Sequence, residues 1–347
     1  MRRTISASER MRTTGKEQIY DQLDEQQKDV RTVAIAGHVR PDGDAFGSCM
    51  GMYLFLRAYY PQIDAHVYLE GNFSDAFRFV AHTDEIITSY PEIEPVDLFI
   101  SLDVSALDRF GSALPYFNAA RRTLVIDHHI SNPLFGAVNE VQPDSSSTSE
   151  LVTLLIGKDR LTKEIAEPLY LGVINDSGVF RYSCTSSRTM EIAGWLMDTG
   201  IDFSKICDVA FYQKTYAQTH VIGKALSESM LMLDGKVIFS VIHQKEMDFY
   251  GVGPQDLSPI SSMLKETKGV EVAIFLYESG IRQFKVSMRS NGKVDVAKIA
   301  QFFQGGGHVS AAGCTMNGGV HDVVNNVVAK VAEQLHILSE GTEETAS

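Results

Sequence analysis

The chain has 347 residues, of which 44% are hydrophobic and 22% are charged, which is enough for one large domain or two ordinary ones. We expect two. The formal net charge of −13 argues against a protein that coats long duplex nucleic acid, because that mode of binding depends on clustered Lys and Arg side chains. A small anionic substrate held by metal ions and a local basic patch remains compatible with this charge.

The N-terminus and the cysteines indicate the compartment. The N-terminus has charged residues but no apolar segment of the signal-peptide kind, and no run approaches the roughly 18 to 20 apolar residues of a membrane span. Four scattered cysteines without a C-x-x-C pair fit free thiols in a reducing compartment. We therefore expect a cytoplasmic protein that does not associate with membranes.

The first half of the chain alternates predicted strands and helices. After an N-terminal extension with an amphipathic helix at residues 16–27, short apolar runs predict buried parallel strands at residues 32–36, 96–102 and 123–126. Helical patterns are found at residues 45–59, 149–156, 163–174 and 187–199. This alternation predicts an α/β domain with a parallel sheet, whose ligand site lies beyond the carboxyl ends of the strands.

The pattern changes in the second half. A polar stretch at residues 202–229 indicates a connecting helix or linker. Strands are then predicted at residues 236–242, 271–278 and 282–288, with Gly280 in a hairpin turn, and helices at 294–303 and 320–338. We predict an extension (1–28), a catalytic α/β domain (29–200), a linker (201–229), a smaller α+β domain (230–340) and a disordered acidic tail (341–347).

A group of metal-ligand side chains follows the first predicted strand. His38, Asp42 and Asp44 surround a turn made by Pro41 and Gly43, so two adjacent metal ions could each take one carboxylate. A solvated Asp-Gly turn is the alternative for Asp42 and Gly43 alone. His38 and the helix start that follows favour the metal site.

Two further groups follow the other predicted strands. Asp103 closes a buried strand, where an unpaired charge is costly, so it either binds metal as a bridging carboxylate or caps a helix. Asp127, His128 and His129 follow the next strand, and one imidazole can ligate a metal while Asp127 supplies its supporting hydrogen bond. Arg109 is expected to orient a phosphate or to pair with a neighbouring carboxylate.

Asp176 is the last candidate ligand, although an Asp-Ser-Gly sequence also ends helices routinely. Aspartate and histidine ligands without thiolate select a hard or borderline octahedral ion, and the imidazoles favour Mn²⁺. Two such ions about 3.5 to 4 Å apart would clamp a phosphate and lower the pKa of a water between them. This is the two-metal route to phosphoester hydrolysis.

A glycine-rich stretch in the second predicted domain is a candidate anion site. Residues 304–313 have the sequence QGGGHVSAAG. The backbone N–H groups of Gly305, Gly306 and Gly307, together with a helix N-terminus, could cradle an anion that His308 also contacts.

Basic residues accompany this stretch. Residues 281–298 carry five Lys or Arg against one Asp in an otherwise acidic protein. Within them, Arg289 and Ser290 follow a predicted strand and are candidates for binding a phosphate or a short oligonucleotide. A solvated basic face is the alternative for most of the lysines.

These motifs, in this order, resemble those of the DHH phosphoesterase superfamily, and within it the group that carries a DHHA1 domain. The resemblance covers nearly the whole chain after about residue 30. It implies a parallel-sheet DHH domain joined by a linker to a smaller DHHA1 domain, with the active site in the cleft between them. Family members often have Thr-Asp-Thr-Gly around the fourth motif, where this chain keeps the aspartate in Asn175-Asp176-Ser177-Gly178.

The resemblance also implies residue roles. The implied ligands of one Mn²⁺ are His38, Asp42 and Asp103. The implied ligands of the other are Asp44, Asp103, His128 and Asp176. Asp127 would support a ligand, His129 would contact the scissile phosphate or assist the leaving group, and Arg289 and His308 would hold the substrate.

The implied activity is hydrolysis of phosphoester bonds by a hydroxide that two divalent ions activate, Mn²⁺ being favoured over Mg²⁺ or Co²⁺. The implied substrates are oligoribonucleotides of a few residues, cleaved to mononucleotides, and 3′-phosphoadenosine 5′-phosphate, cleaved to AMP. This is the oligoribonuclease (nanoRNase) and phosphatase type within the family. A homodimer is left open.

Three other functions stay open. A manganese inorganic pyrophosphatase or exopolyphosphatase shares the first four motifs, but the glycines before His308 speak against it, because pyrophosphatases of that superfamily carry a basic motif instead. Hydrolysis of linear or cyclic dinucleotide signals is not distinguished by sequence from cleavage of short RNA. A non-catalytic nucleotide-binding regulatory module would be expected to have lost some candidate ligands, and all are present.

Overall fold

The computed structural model describes residues 30–71, 73–89 and 95–336. The predicted N-terminal extension and acidic tail lie outside the described residues. The chain divides into two compact units, one up to Gln213 and the other from Lys214. Within the described ranges, helices with the length and apolar character needed to cross a membrane are absent.

The first unit is built on a parallel sheet. Its strands are β1 (Thr32–Ala36), β2 (Asp64–Tyr68), β3 (Leu98–Leu102), β4 (Arg122–Asp127) and β5 (Val138–Val141). Their spatial order is β2-β1-β3-β4-β5, and every neighbouring pair is parallel. This confirms the predicted α/β class. Because the chain leaves β1 for β2 on one side and returns to β3 on the other, the strand order reverses at β1 and β3, where α/β sheets place their ligand sites.

Helices cover both faces of this sheet. They are α1 (Gly43–Tyr59), α2 (Leu114–Ala119), α3 (Thr148–Ile156), α4 (Lys163–Asp176), α5 (Ser187–Asp198) and α6 (Phe203–Cys207), which a π-helical turn at Asp208–Tyr212 extends. Short 3₁₀ turns lie at Asp75–Phe77, Thr83–Glu85, Leu107–Ala113 and Lys158–Arg160. Helix α1 is buried along almost its whole length because it packs between the sheet and α4. It therefore has apolar residues all round, as expected of a core helix.

The second unit contains a mixed sheet. Its elements are α7 (Tyr216–Ser227), β6 (Met230–Met232), β7 (Val237–Ile242), α8 (Gln244–Tyr250), a 3₁₀ turn (Pro254–Leu257), α9 (Ile260–Lys265), β8 (Val272–Gly280), β9 (Gln283–Ser290), α10 (Val296–Phe302), β10 (Gly306–His308), β11 (Ala311–Asn317) and α11 (Val320–Leu335). The strand order is β10-β11-β9-β8-β7-β6, with β7 and β8 parallel and the other pairs antiparallel. This confirms a separate α+β domain.

The prediction of a helix N-terminus after the glycine stretch is wrong. Residues 306–308 form the edge strand β10, which pairs with β11 and precedes no helix. The reason is a period-two pattern, since Ala312, Cys314 and Met316 alternate with less buried residues along β11. Gly307 is required in this pair, because its φ is +144° and a Cβ there would lie 2.5 Å from the Ala311 carbonyl oxygen.

Candidate metal centre and substrate surface

The candidate ligands of the first unit converge at the carboxyl ends of β1, β3 and β4. His38 follows β1, Asp103 follows β3, and His128 follows β4. Helix α1 contributes its N-cap Asp42 and first-turn Asp44, and helix α4 ends at Asp176. Three overlapping groups have ligand atoms within 4.8 Å of one another. They are His38, Asp42 and Asp103; Asp44, His128 and Asp176; and Asp103, His128 and His129.

The first group presents one imidazole nitrogen to two carboxylates. His38 Nε2 lies 3.7 Å from Asp42 Oδ2 and 3.7 Å from Asp103 Oδ2. Its Nδ1 is 2.9 Å from the Val39 carbonyl oxygen, to which it donates. This hydrogen bond fixes the tautomer that leaves the Nε2 lone pair free for a metal ion. Arg109 comes within 3.4 Å of the same Nδ1, so its guanidinium lies at the edge of this group.

The second group is arranged around His128. Its Nε2 lies 3.1 Å from Asp176 Oδ2 and 3.5 Å from Asp103 Oδ1. The other ring nitrogen, Nδ1, faces the Ser145 carbonyl oxygen at 3.4 Å. As in the first group, the nitrogen that points toward the carboxylates is the one left free to bind metal.

Asp103 belongs to the first group and also faces the second. Its Oδ2 faces His38 and its Oδ1 faces His128, and the residue is only 2% exposed. Its backbone has φ of +60°, in the left-handed region that only Gly, Asn and Asp tolerate well. A backbone conformation of this kind costs free energy and persists only where the surrounding structure holds the residue in place. Here it directs the Asp103 carboxylate into the space between the two groups.

Asp127 supports His129 rather than His128. Asp127 Oδ1 accepts a hydrogen bond from His129 Nδ1 at 2.7 Å, and Oδ2 accepts one from Asn132 Nδ2 at 2.7 Å. To His128 it offers only a contact with the backbone N–H. Nε2 is therefore the nitrogen that His129, whose side chain is 36% exposed, presents for other contacts.

The carboxylates are electrostatically strained without a cation. Burial and the charge of Asp176 raise the pKa of Asp44 to about 7, and burial with the charge of Asp44 raises the pKa of Asp103 well above its ordinary value. Burial alone would lower the pKa of His128, but the hydrogen bond with Asp176 and the charge of Asp44 raise it to about 9. A divalent ion would relieve this repulsion, so the donor set fits a metal centre.

The second unit has a cavity of about 660 Å³ on one face of its sheet. Lys285, Ser287 and Arg289 project into it from β9, because alternate residues of a strand share a face. Gly305 also lines it. Ser290 projects to the opposite face, where its hydroxyl donates to Glu271 Oε1 at 3.2 Å and is buried.

The other glycines of the predicted anion site lie on β10. Gly306 and His308 are exposed on this edge strand, and Gly307 is exposed beside them. These three residues follow Gly305 in sequence but are not among the residues that line the cavity. The cavity itself is lined by Arg289 and Gly305 among the predicted substrate-binding residues.

Comparisons with known proteins match both units. Residues 32–173 match the N-terminal domain of the DHH family, and residues 217–336 match the DHHA1 domain. A Thermus thermophilus protein named bifunctional oligoribonuclease and PAP phosphatase NrnA is 30% identical over 312 residues, which cover 87% of this chain and 90% of that protein. The chain belongs to the DHH family. This confirms the family resemblance and the class of phosphoester hydrolase.

Other members of the family are similar over most of the chain. A Bacillus subtilis protein with the same name is 25% identical, covering 82% of this chain and 89% of that protein. A solved structure of an exopolyphosphatase-related protein from Bacteroides fragilis superposes with a TM-score of 0.84 at 25% identity, covering 96% of this chain and 98% of that one. The DHH fold is thus retained over nearly the whole chain.

One contributor to the candidate metal centre has no signal in the sequence. Residues 145–149, here named the serine segment, span the start of α3 and contact three candidate ligands, mostly through backbone atoms. Any residue type except proline can supply a backbone N–H group. A pattern of residue types therefore does not reveal this role.

Proposed function

We propose that the chain is a manganese-dependent phosphodiesterase and phosphatase that hydrolyses short oligoribonucleotides to mononucleotides and 3′-phosphoadenosine 5′-phosphate to AMP. The observation that carries this proposal is that the Asp103 carboxylate lies between the two groups of candidate ligands, with one oxygen facing His38 and the other facing His128. The names of the relatives from Thermus thermophilus and Bacillus subtilis support the choice of substrates.

Two Mn²⁺ ions fit the donor set, which consists of carboxylates and imidazoles without a thiolate. The residues that would hold one ion are His38, Asp42 and Asp103. The residues that would hold the other are Asp44, Asp103, His128 and Asp176. When bound, such ions supply positive charge to the phosphate and lower the pKa of water.

The chain's own residues complete the chemistry. His129 would meet the substrate through Nε2, because Asp127 holds its Nδ1. A proton on Nε2 would pass to the leaving 3′-oxygen, and the hydrogen bond from Nδ1 to Asp127 would orient the ring. Arg109, beside His38, would contact a phosphate oxygen.

Residues of the second unit would hold the nucleotide. Arg289 lines a cavity whose volume lies in the usual range for small-ligand sites, with hydroxyl groups nearby. The exposed edge strand with Gly306, Gly307 and His308 would contact a phosphate beside Gly305, whose own backbone N–H donates to the Ala300 carbonyl oxygen. Ser290 would contribute by holding the strand next to Arg289, because its hydroxyl donates to Glu271 and its N–H donates to the Ser310 carbonyl oxygen.

Replacing Arg289 by lysine is expected to raise KM for a trinucleotide roughly 10-fold and to change kcat little, because lysine keeps the charge but loses the two-pronged contact with phosphate. Steady-state kinetics on the purified variant would measure both constants. Arg282→Lys is a matched control, since Arg282 lies at the other end of the same hairpin. An unchanged KM in Arg289→Lys would remove Arg289 from the substrate site.

The proposal is tested by incubating the protein with end-labelled RNA of two to five nucleotides, with 3′-phosphoadenosine 5′-phosphate, pyrophosphate and polyphosphate in parallel. We expect mononucleotides and AMP, activity that EDTA abolishes, and recovery on adding Mn²⁺ in preference to Mg²⁺. Turnover of pyrophosphate or polyphosphate alone would assign the chain to that branch of the family. If none of these substrates were hydrolysed, the result would favour a nucleotide-binding module.

A further inference from the structure

The serine segment contacts ligands of both candidate metal groups. The backbone N–H of Thr148 donates to Asp44 Oδ2 at 2.7 Å, and that of Ser149 donates to Asp44 Oδ1 at 2.9 Å. The Thr148 hydroxyl donates to Asp103 Oδ1 at 3.2 Å. The carbonyl oxygen of Ser145 faces His128 Nδ1. Three candidate ligands thus take their orientation from a stretch of five residues.

This stretch is held from behind by Glu150, a carboxylate with no exposed surface. Glu150 Oε2 accepts hydrogen bonds from the Ser146 hydroxyl at 2.6 Å, the Ser146 backbone N–H at 3.3 Å and the Thr189 hydroxyl at 2.8 Å. The backbone N–H of Glu150 donates to the Ser147 hydroxyl, which caps α3. Glu150 therefore fixes the turn from which Thr148 and Ser149 point at Asp44.

Arg188 at the start of α5 completes the arrangement. Its Nε donates to Glu150 Oε1 at 2.5 Å, and its Nη1 donates to Gln142 Oε1 at 3.2 Å. The Gln142 carbonyl oxygen accepts from the backbone N–H of Ser145, where the serine segment begins. One guanidinium thereby joins the two ends of the segment.

We propose that Glu150 and Arg188 are positioning residues for the metal centre: as an ion pair whose carboxylate is fully buried, they hold the serine segment against Asp44, Asp103 and His128 and so set the affinity for metal. Neither side chain belongs to the metal-ligand groups. Replacing residues that orient metal ligands typically lowers metal affinity or activity by about 10- to 100-fold. The inference rests on the proposed function, because it requires that these groups bind metal.

The test measures Mn²⁺ affinity by titration calorimetry on the full chain, with thermal unfolding recorded in the absence of metal. Glu150→Gln keeps the shape of the side chain but breaks the ion pair, and we expect it to weaken Mn²⁺ binding roughly 10- to 100-fold. Its activity should recover substantially when Mn²⁺ is raised in proportion. A purely structural role would not give this rescue.

Asp97→Asn is the matched control. Asp97 also accepts backbone N–H groups and pairs with an arginine, Arg121 at 2.9 Å, but it lies at the amino end of β3, away from the metal ligands. The Asp97→Asn variant should be less stable than wild type and should bind Mn²⁺ with unchanged affinity. Arg188→Lys is a second variant that should bind Mn²⁺ more weakly than wild type, and it carries the test where Glu150→Gln does not fold.

The outcomes separate this inference from the proposed function. Wild-type affinity for Mn²⁺ in Glu150→Gln and Arg188→Lys, with only their thermal stability lowered, would overturn the positioning role and leave the proposed function standing. A wild-type protein that binds no Mn²⁺ would overturn both. Equal loss of affinity in Asp97→Asn would also overturn the positioning role, because it would show a general effect of stability.

Discussion

Asp103→Asn is expected to lower kcat on the order of 10³-fold or more while leaving the metal-free protein at least as stable as wild type. The loss follows because Asp103 faces both ligand groups, and charge stabilisation by metal ions contributes several kcal/mol to a phosphoryl transition state. Asparagine keeps the shape of the side chain and tolerates the left-handed backbone at this position.

Stability should not fall, because the charge of Asp103 is unfavourable in the metal-free protein. Burial and the neighbouring carboxylates, Asp44 first among them, raise its pKa. A neutral amide removes that repulsion. Thermal unfolding with and without Mn²⁺ would test this expectation. Mn²⁺ should raise the Tm of the wild-type protein, because a ligand that binds only the folded state stabilises it. It should raise the Tm of the variant much less.

Asp97, at the other end of the same strand, provides a control with the opposite expected result. Asp97 precedes the first residue of β3 and Asp103 follows its last, so the two carboxylates flank one strand. Burial opposes the charge of Asp97, but hydrogen bonds from the Arg31 backbone, Arg121 and the Thr32 backbone outweigh it and lower the pKa of Asp97. Asp97→Asn should lower Tm and retain activity. Retained activity in Asp103→Asn would contradict the shared-ligand arrangement.

The sequence was sufficient to predict the strands that carry the site. Strands β1, β3 and β4 are central and buried, so their sequences are continuous apolar runs, and the polar residues directly after them mark the carboxyl edge of the sheet. The edge strands β2 and β5 escaped prediction. Each is short and partly exposed, and the sequence VNEV of β5 has no apolar run to distinguish it from a loop.

The fine structure of the centre depends on contacts distant in sequence. The hydrogen bonds from Thr148 and Ser149 to Asp44 join residues more than 100 positions apart. The partner of Asp127 was also not predictable, because His128 and His129 are adjacent and only the turn after β4 decides which ring Asp127 meets. Residue types predict that such ligands meet, whereas the backbone determines how they are oriented.

Gly172→Ala is expected to destabilise the protein and to lower activity on the order of 10²-fold, although alanine is ordinarily the better residue within a helix. Gly172 lies inside α4, where a Cβ would come 2.7 Å from Asp44 Oδ1 and 2.7 Å from Ser149 Cβ. Rotation of the Ser149 hydroxyl does not relieve the second contact. Helix α4 must therefore move away from α3, or Asp44 must leave its two backbone donors.

Gly194→Ala provides the matched comparison, because Gly194 lies inside α5 and a Cβ there would point into open space. It should raise the free energy of unfolding by roughly 0.5–1 kcal/mol and keep full activity. Gly172→Ala should instead lose about 1–3 kcal/mol, the usual cost of overpacking. Denaturant unfolding of both variants would measure these opposite changes in the free energy of unfolding, and Mn²⁺ titration would measure their metal affinity. If Gly172→Ala gained stability and bound Mn²⁺ normally, then α3 and α4 would not hold Asp44 as closely as the contacts at Gly172 require.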